Sequence, residues 1–213
     1  MLNTFTNSID FLYISYKIIN EYVSKYKKKC GEKNVRVISG SARGKKLSSV
    51  EGLDVRPTLD RVKESIFNMI AFDILGADVL DLFCGSGALG IEALSRGAEK
   101  CVFVDKNEQS LSCTKQNLLE THLLGQAQVV KSDSVLFLNC TDKKFDIILI
   151  DPPYKSNLYD EVLSLILERK LLKENGKIVI EAGTDDVPEV PKELFSEVRE
   201  KKYGKVYILV IKA

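Results

Sequence analysis

The stretch that decides the fold of this chain reads Val79-Leu80-Asp81-Leu82-Phe83-Cys84-Gly85-Ser86-Gly87-Ala88-Leu89-Gly90. Its apolar first half predicts a buried strand, and its last part opens a helix predicted over Ala88 to Arg96. Gly85 and Gly87 lack a Cβ atom, so the backbone between strand and helix can bend sharply and approach a ligand closely. The free N–H groups of the helix start and the positive end of its dipole would face that ligand. The stretch therefore predicts a cofactor site in a nucleotide-binding α/β domain.

Two acidic residues bear on which cofactor this turn would hold. Gly85, Gly87 and Gly90 fit the G-x-G-x-x-G fingerprint of dinucleotide-binding enzymes, with Asp105 at about the expected distance. Asp81 favours a different ligand, because a carboxylate at the end of the first strand would repel a pyrophosphate. It suits the methionine part of S-adenosylmethionine, whose ammonium and sulfonium groups are both positive. A capping bond to a local backbone amide is the alternative role for Asp81.

The composition is that of one globular domain with an appendage, since 45% of the 213 residues are hydrophobic and 29% are charged. No apolar run approaches the length that spans a bilayer, and the first thirty-odd residues lack a signal-peptide cleavage site, so we expect a cytoplasmic protein without a membrane partner. The five cysteines are widely spaced and contain no C-x-x-C pair, which is typical of buried thiols in a reducing compartment. The single histidine, His122, provides too little for a histidine-based metal site or a Ser-His-Asp triad. We therefore expect a metal-free protein, and a monomer.

Charge is unevenly distributed along the chain. The net charge is only +1, but the stretch from Lys25 to Lys63 holds twelve lysines or arginines and four acids. A basic segment on a neutral to acidic body indicates a surface that meets a polyanion such as RNA.

Three segments are predicted along the chain. The middle one contains a small basic hairpin with strands at Val35–Ser39 and Lys45–Leu47, followed by a helix for which Thr58 is the candidate N-cap. The segments are residues 1–34, an extension of unknown role; 35–75, the basic hairpin and helix, a candidate RNA-binding element; and 76–213, the catalytic domain.

The catalytic segment predicts a doubly wound, Rossmann-like α/β fold. Its seven-stranded sheet is expected to be mostly parallel, with an antiparallel last strand that follows a tight turn at Gly204. Ligands of such sheets bind outside the carboxyl ends of the strands, where Asp81, Asp105, Asp133 and Asp151 are found. Asp133 could instead cap a short helix over Ser134 to Asn139. The predicted strands are Val79–Phe83, Cys101–Val104, Gln128–Val130, Phe145–Ile150, Lys177–Glu181, Phe195–Lys202 and Val206–Lys212.

The motif Asp151-Pro152-Pro153-Tyr154 follows the fourth of these strands. The two prolines remove two N–H donors and are expected to leave the local carbonyl groups pointing outward. Together with the Asp151 carboxylate, these carbonyls would form a pocket of acceptors only, which suits an aromatic exocyclic amino group, and Tyr154 could stack on the base. Methyl transfer to such an amine depends mainly on orientation and needs no histidine.

Five stretches together resemble the RsmD-like family of bacterial methyltransferases, which modify a guanine at N2 in small-subunit ribosomal RNA. The resemblance covers about Val35 to the end of the chain, and the extension before it has no counterpart. The most specific of the five stretches is the third. They are Arg36–Gly40, Arg43–Leu47, Arg56–Glu64 with Phe67-Asn68, Asp81–Arg96 and Asp151–Tyr154.

The resemblance implies S-adenosylmethionine as cofactor and ribosomal RNA or the small ribosomal subunit as partner. Asp105 would bind the ribose, Asp133 would lie near the adenine, and the target guanine would lie against Asp151, Pro152, Pro153 and Tyr154. The expected cofactor-binding residues are Asp81, Phe83, Gly85, Gly87, Asp105, Lys106 and Asp133. The expected RNA-binding residues are Arg36, Arg43, Lys45, Lys46, Arg56, Thr58, Arg61 and Lys63.

Other functions stay open at this point. An adenine-N6 methyltransferase acting on DNA or RNA fits the proline motif equally well. Methylation of a protein glutamine is a further alternative, although we would expect Asn rather than Asp at position 151. A dinucleotide-dependent oxidoreductase is permitted by the glycine pattern, and a non-catalytic RNA-binding module is conceivable. The modified nucleotide, and the choice between naked RNA and assembled subunit, are left open by the sequence.

Overall fold

A computed structural model describes residues 30–31, 35–50, 60–153, 156, 158–190, 193 and 195–212. The predictions for the extension before residue 30, and those for Arg56, Thr58 and Tyr154, lie outside the described residues.

Short and long strands alternate with helices along the described chain. The strands are β1 (Val35–Arg36), β2 (Lys46–Leu47), β3 (Asp78–Asp81), β4 (Lys100–Asp105), β5 (Ala127–Lys131), β6 (Phe145–Ile150), β7 (Leu172–Gly183), β8 (Glu197–Tyr203) and β9 (Val206–Lys212). The helices are α1 (Asp60–Met69), α2 (Ala88–Ser95), α3 (Glu108–Thr121), α4 (Ser134–Cys140) and α5 (Tyr159–Glu168), with a 3₁₀ turn at Leu124–Gln126.

The main sheet has seven strands in the order β5-β4-β3-β6-β7-β9-β8. The strands from β3 to β7 pair in parallel, and β9 pairs antiparallel with both β7 and β8. This arrangement confirms the predicted α/β class, the mostly parallel sheet and the antiparallel last strand. It also brings the carboxyl ends of β3, β4 and β6 to one edge of the sheet.

Layers of helices cover both faces of this sheet. The apolar run of β6 shows why, because Ile147 and Leu149 face one core while Ile148 and Ile150 face the other. The first core is covered by the hairpin, α1, α2 and α3, and the second by α4 and α5. No helix within the described residues is long and apolar enough to cross a membrane.

Strand β7 begins five residues earlier than the predicted Lys177. The polar run before Lys177 lies outside the predicted strand, but it forms a bulge against β6, with Asn175 at φ 61°. The Lys173 ammonium lies 2.7 Å from Asp78 Oδ2 and 2.8 Å from Asp146 Oδ2. These ion pairs hold the added part of the strand to the sheet.

The hairpin strand predicted at Val35–Ser39 ends at Arg36. Val37 still bonds Lys45, and the chain then leaves the hairpin, because the N–H groups of Ile38 and Ser39 donate to the Glu92 carboxylate at 2.8 and 3.0 Å. The hairpin thus packs onto α2 and shares the core of the catalytic sheet. The predicted division of the chain into three segments stays a prediction.

Candidate active site

The turn after β3 is held open toward the carboxyl edge of the sheet. Gly87 has φ 79°, and a Cβ atom there would lie 2.8 Å from Thr114 Cγ2, so both conformation and space require glycine. Gly85 has φ 52° and no heavy atom within 4 Å of the position that a Cβ would take. Open space therefore lies in front of the turn, as a cofactor site requires.

Asp81 ends β3 beneath this turn and is buried. Its Oδ2 accepts a hydrogen bond of 2.9 Å from Gly90 N, so the capping role considered for this residue is present in the structure. Burial, together with the nearby charges of Asp151 and Asp105, raises the pKa of Asp81 to about 7. The charges that act on this carboxyl are negative, so a cationic ligand would stabilise its ionised form.

Asp105 and Asp133 both accept hydrogen bonds from local backbone groups. The Asp105 carboxylate accepts from Gly85 N at 3.0 Å and from Asn107 N at 2.8 Å, which ties the end of β4 to the glycine turn. Asp133 is exposed and caps α4 by accepting from Val135 N at 3.0 Å. Ionised carboxylates offer about four lone-pair sites, so these bonds leave capacity for a ligand.

Two further residues of the expected cofactor set flank the turn. Phe83 is half-buried just before it, and Lys106 is exposed just after β4. Their cofactor contacts stay predictions.

Asp151 follows β6 at the same edge, and burial raises its pKa to about 7. Pro152 is buried and Pro153 is exposed. The expectation that the carbonyl groups of both prolines point outward is wrong for Pro153, whose oxygen accepts a 3.1 Å hydrogen bond from Ser156 N and closes a local turn. The Pro152 carbonyl accepts no backbone hydrogen bond from the described residues, so it stays an acceptor for a ligand.

The acidic floor of the site fits a cationic cofactor. Asp81, Asp105 and Asp151 gather at one edge, and the repulsion that Asp81 experiences from the other two, together with burial, disfavours the ionised form of Asp81. A positively charged group bound there would relieve that repulsion. Among the described side chains, no group of three or more His, Cys, Asp or Glu residues is arranged to hold a metal ion.

Most of the predicted RNA-binding residues that the structure describes lie on the surface. Arg36 forms an exposed ion pair of 2.8 Å with Asp60. Arg43, Lys45, Lys46 and Arg61 are exposed. Their contact with RNA stays a prediction.

Lys63 is a correction to that set, because its side chain is fully buried. Its ammonium lies 3.2 Å from Glu92 Oε2 and donates to the Arg36 carbonyl at 2.6 Å. A lysine on a helix start was expected to be solvated, but the buried Glu92 on α2 provides an opposite charge for it. Lys63 therefore cannot serve as an RNA contact in this structure.

Two residues of α3 hold the glycine turn, and neither was predicted from the sequence. Thr114 Oγ1 donates to the Gly85 carbonyl at 2.8 Å. Asn117 is fully buried and donates to the Ser86 carbonyl at 2.8 Å. It also pairs with both backbone groups of Ser48, which follows β2, at 2.8 and 3.0 Å. A buried polar position on a helix face was the available signal.

Glu92 and Ser95 on α2 were missed for a similar reason. Glu92 stands in an otherwise apolar helix, and besides Lys63 it accepts from Arg96 Nε at 2.8 Å. Ser95 Oγ donates to the Ser39 carbonyl at 2.6 Å. The helix that opens at the glycine turn thus also carries the basic hairpin.

One cavity of about 380 Å³ lies away from this site. It is found at the amino ends of β3, β4 and β6 and is lined by Lys100, Lys143 and Lys144 among others. The acidic cluster lies at the opposite edge.

Comparisons with known proteins agree with this geometry. A family model described as Conserved hypothetical protein 95 matches residues 35–212. The chain belongs to this family. A Bacillus subtilis member named "Putative rRNA methyltransferase YlbH" is 43% identical over 182 residues, covering 84% of this chain and 98% of the relative. "Ribosomal RNA small subunit methyltransferase D" of Haemophilus influenzae is 38% identical and covers 80% of this chain and 89% of the relative. The predicted RsmD-like family is confirmed.

Solved structures confirm the fold. The structure described as "Putative methyltransferase yhhF from Escherichia coli" has 36% identity and a TM-score of 0.74, covering 84% of this chain and 97% of the other. A more distant Streptococcus mutans structure, described as a putative S-adenosylmethionine-dependent methyltransferase, has 20% identity and a TM-score of 0.62, and covers 78% of this chain and 53% of the other. The fold is therefore that of S-adenosylmethionine-dependent methyltransferases, as predicted.

Proposed function

We propose that this protein is an S-adenosylmethionine-dependent methyltransferase that modifies the exocyclic N2 amino group of a guanine in small-subunit ribosomal RNA. The observation that carries the proposal is Asp151, a carboxyl close to Asp81 below the glycine turn and followed by two residues without N–H donors. The names of the family members with 38–43% identity supply the ribosomal RNA and the small subunit.

The cofactor would lie across the carboxyl ends of β3 and β4. Asp81 would accept from the positive amino group of its methionine part, and Asp105 from its ribose hydroxyls, while Asp133 would lie near the adenine. The open space before Gly85 leaves room for the ligand to approach the backbone closely. When bound, S-adenosylmethionine supplies an electrophilic methyl group on a sulfonium leaving group.

The target amine would be held by acceptors of this chain. The Asp151 carboxylate and the Pro152 carbonyl would accept hydrogen bonds from its two N–H groups. A guanine amine can donate both bonds, whereas a carbonyl group on a base can donate none. Holding both hydrogens orients the nitrogen lone pair and counters its delocalisation into the ring. Orientation at near-attack distance contributes on the order of 7–11 kcal/mol in favourable cases.

Asp151 is also suited to accept the proton that the amine loses. Burial raises its pKa to about 7, so at neutral pH the carboxylate is a better proton acceptor than an exposed aspartate. Tyr154 would stack on the base, which must first leave its helical stack.

The substrate is tested by methyl transfer in vitro. The protein is incubated with methyl-labelled S-adenosylmethionine and, separately, unmodified small-subunit RNA, small-subunit particles and genomic DNA. We expect label in the RNA or the particle and none in the DNA. Label in DNA alone would replace the proposal with an adenine-N6 methyltransferase, and label in none of them would contradict a nucleic-acid substrate.

The role of Asp151 is tested with Asp151→Ala. We expect turnover to fall at least about a hundredfold, while calorimetry still detects binding of the cofactor product and of RNA. Asp142→Asn is the matched control, because Asp142 is an exposed carboxylate paired with Arg169 at 3.4 Å. Unchanged turnover of Asp151→Ala would remove this residue from the site.

A further inference from the structure

The turn between β8 and β9 lies at the same edge of the sheet as the candidate active site. Gly183 ends β7 and pairs with Val206, which in turn pairs with Tyr203. Because β7 is parallel to β6, these residues lie at the carboxyl edge, where Asp151 follows β6. This turn was not among the predicted RNA-binding elements.

Lys201 on β8 lies nearly level with Asp151 in the sheet. The register that pairs Ile150 with Ile180 continues one residue further along β7 to Glu181, which is linked through Ile208 to Lys201. Three strand spacings separate β6 from β8, which amounts to about 14 Å. A nucleic-acid strand whose base enters the site spans that distance within a few nucleotides.

Two exposed lysines of β8 place their ammonium groups over aromatic rings, and that of Lys201 leans toward this edge. Lys201 Nζ lies 5.2 Å from the centroid of the Tyr203 ring, and Lys202 Nζ lies 5.3 Å from that of Tyr207. Successive residues of a strand point to opposite faces, so the two ammonium groups straddle the end of the edge strand. The aromatic rings hold the long lysine side chains in place by cation–π attraction.

The position of this turn is fixed from the other side by α1. The hydroxyls of Tyr203 and Ser65 lie 2.6 Å apart, and hydrogen bonds to Lys201 and Ser65 lower the pKa of Tyr203. Helix α1 begins with Asp60 and the exposed Arg61. The turn between β8 and β9 is therefore hydrogen-bonded to α1, the helix that carries the predicted RNA-binding residue Arg61.

Acidic residues lie close to another part of the same turn. Lys205 is next to Asp185 and Asp186, because its carbonyl accepts from Thr184 N at 3.1 Å. Glu200 precedes the lysine pair in β8. For this reason Lys205 is not counted as part of the surface formed by Lys201 and Lys202.

We propose that Lys201 and Lys202 form a second RNA-contact surface, which binds backbone phosphates of the nucleotides that flank the target base. The proposal rests on the proposed function, since it needs an RNA substrate at Asp151. Its partner is the phosphate backbone rather than the bases, because ammonium groups neutralise phosphates without reading sequence. The competing role is protection of an edge strand against pairing with other chains, for which lysines are also used.

The test measures RNA affinity as a function of salt for Lys201→Ala/Lys202→Ala. If both lysines contact phosphates, the slope of log K against log[salt] should become shallower by about 1.4 for a single-stranded target. The RNA is unmodified small-subunit RNA, and the full chain is used throughout. Lys201→Arg/Lys202→Arg keeps both charges and should retain the parent slope.

The matched control is Lys143→Ala/Lys144→Ala, an adjacent pair of exposed lysines at the opposite edge of the sheet. It removes the same charge and should leave the slope unchanged. If Lys201→Ala/Lys202→Ala also keeps the parent slope, or if both pairs lower it equally, the surface is not an RNA contact. If the parent protein itself neither binds nor methylates RNA, the proposed function fails instead.

Discussion

The buried carboxyl of Asp81, which is proposed to bind the cofactor, destabilises the ligand-free protein at neutral pH. Its pKa in the folded chain is about 7, against 3.8 as the ordinary value, because burial disfavours the charged form. Between these two values the unfolded chain has lost the proton and the folded chain keeps it. Stability contributed by this group is therefore present below about pH 4 and falls as the pH rises toward 7. The anion that a cationic cofactor needs is costly until the cofactor is bound.

Asp81→Asn should accordingly stabilise the ligand-free protein at high pH. Thermal unfolding should give a higher midpoint for the variant at pH 8 and a nearly equal one below about pH 4, where Asp81 is protonated in the folded and the unfolded chain alike. The free-energy difference at pH 8 is on the order of a few kcal/mol. The same variant should bind S-adenosylmethionine more weakly. A variant that is less stable than the parent at both pH values would contradict the buried charge.

Lys63 and Arg61 are neighbours in sequence with opposite environments. Lys63→Met should lower the free energy of unfolding by up to about 3–5 kcal/mol, since it leaves the buried Glu92 short of a partner, and should not change the salt slope of RNA binding. Arg61→Ala should leave the free energy of unfolding nearly unchanged and make the salt slope of RNA binding shallower. Chemical denaturation and RNA titration measure the two effects. A lower salt slope for Lys63→Met would return this residue to the RNA interface.

The exposed pair of Lys131 and Glu108, 2.7 Å apart, is the control for this experiment. Lys131→Met should change stability little, because solvent screens such pairs. An equal loss in both lysine variants would mean that burial is not the cause.

At the scale of elements, α3 joins the cofactor turn to the basic hairpin through one side chain. The Asn117 carboxamide satisfies three backbone groups, two on Ser48 and one on Ser86. Asn117→Asp keeps the shape but places a carboxylate oxygen against two carbonyl oxygens. Buried polar groups left without partners cost about 1–3 kcal/mol each.

We therefore expect Asn117→Asp to lower the midpoint of thermal unfolding and to weaken S-adenosylmethionine binding. Lowering the pH should restore part of the binding, because the protonated carboxyl introduced there can donate one hydrogen bond. Asn139→Asp is the control, since Asn139 is exposed and bonds only within its own helix, to Val135 O at 3.0 Å. Calorimetry at two pH values measures S-adenosylmethionine binding by both variants. If Asn117→Asp binds as tightly as the control, the hydrogen bonds of Asn117 to Ser48 and Ser86, here called the Asn117 clamp, do not support the cofactor site.

Elements with a strong local signal could be predicted from the sequence. The uninterrupted apolar run of β6 has the predicted bounds, and the glycine turn and the helix after it lie where the pattern placed them. Long-range contacts could not be predicted. The bulge in β7 depends on Lys173 meeting Asp78 and Asp146, which lie 95 and 27 residues away. Strand β1 ends early because of Glu92, on a different element.

In the candidate site, too, local features could be predicted from the sequence and long-range contacts could not. Each acidic residue at a strand end was visible in the sequence, because its position relative to a strand is local information. The burial of Lys63 and the clamp at Asn117 were not, because both depend on which helix faces the hairpin. A charged residue within a helix start gives no sign of whether a partner charge will cover it.

At the scale of the whole molecule, charge is separated between rim and floor at one edge of the sheet. The floor holds Asp81, Asp105 and Asp151, and Lys201 on β8 lies nearly level with Asp151, while further exposed basic residues lie on the hairpin and on α1. An acidic floor favours a cationic cofactor, and a basic rim favours a polyanion. In the proposed function the two ligands meet at Asp151, where the methyl group would pass to RNA.

The most direct measurement identifies the nucleoside that receives the methyl group. Unmodified small-subunit RNA, free and in particles, is labelled with the protein and S-adenosylmethionine, digested to nucleosides and analysed by mass spectrometry. We expect N2-methylguanosine, and no label in a transcript that carries inosine, which lacks the 2-amino group, in place of guanosine. N6-methyladenosine, or label that persists in the inosine transcript, would contradict the guanine-N2 assignment.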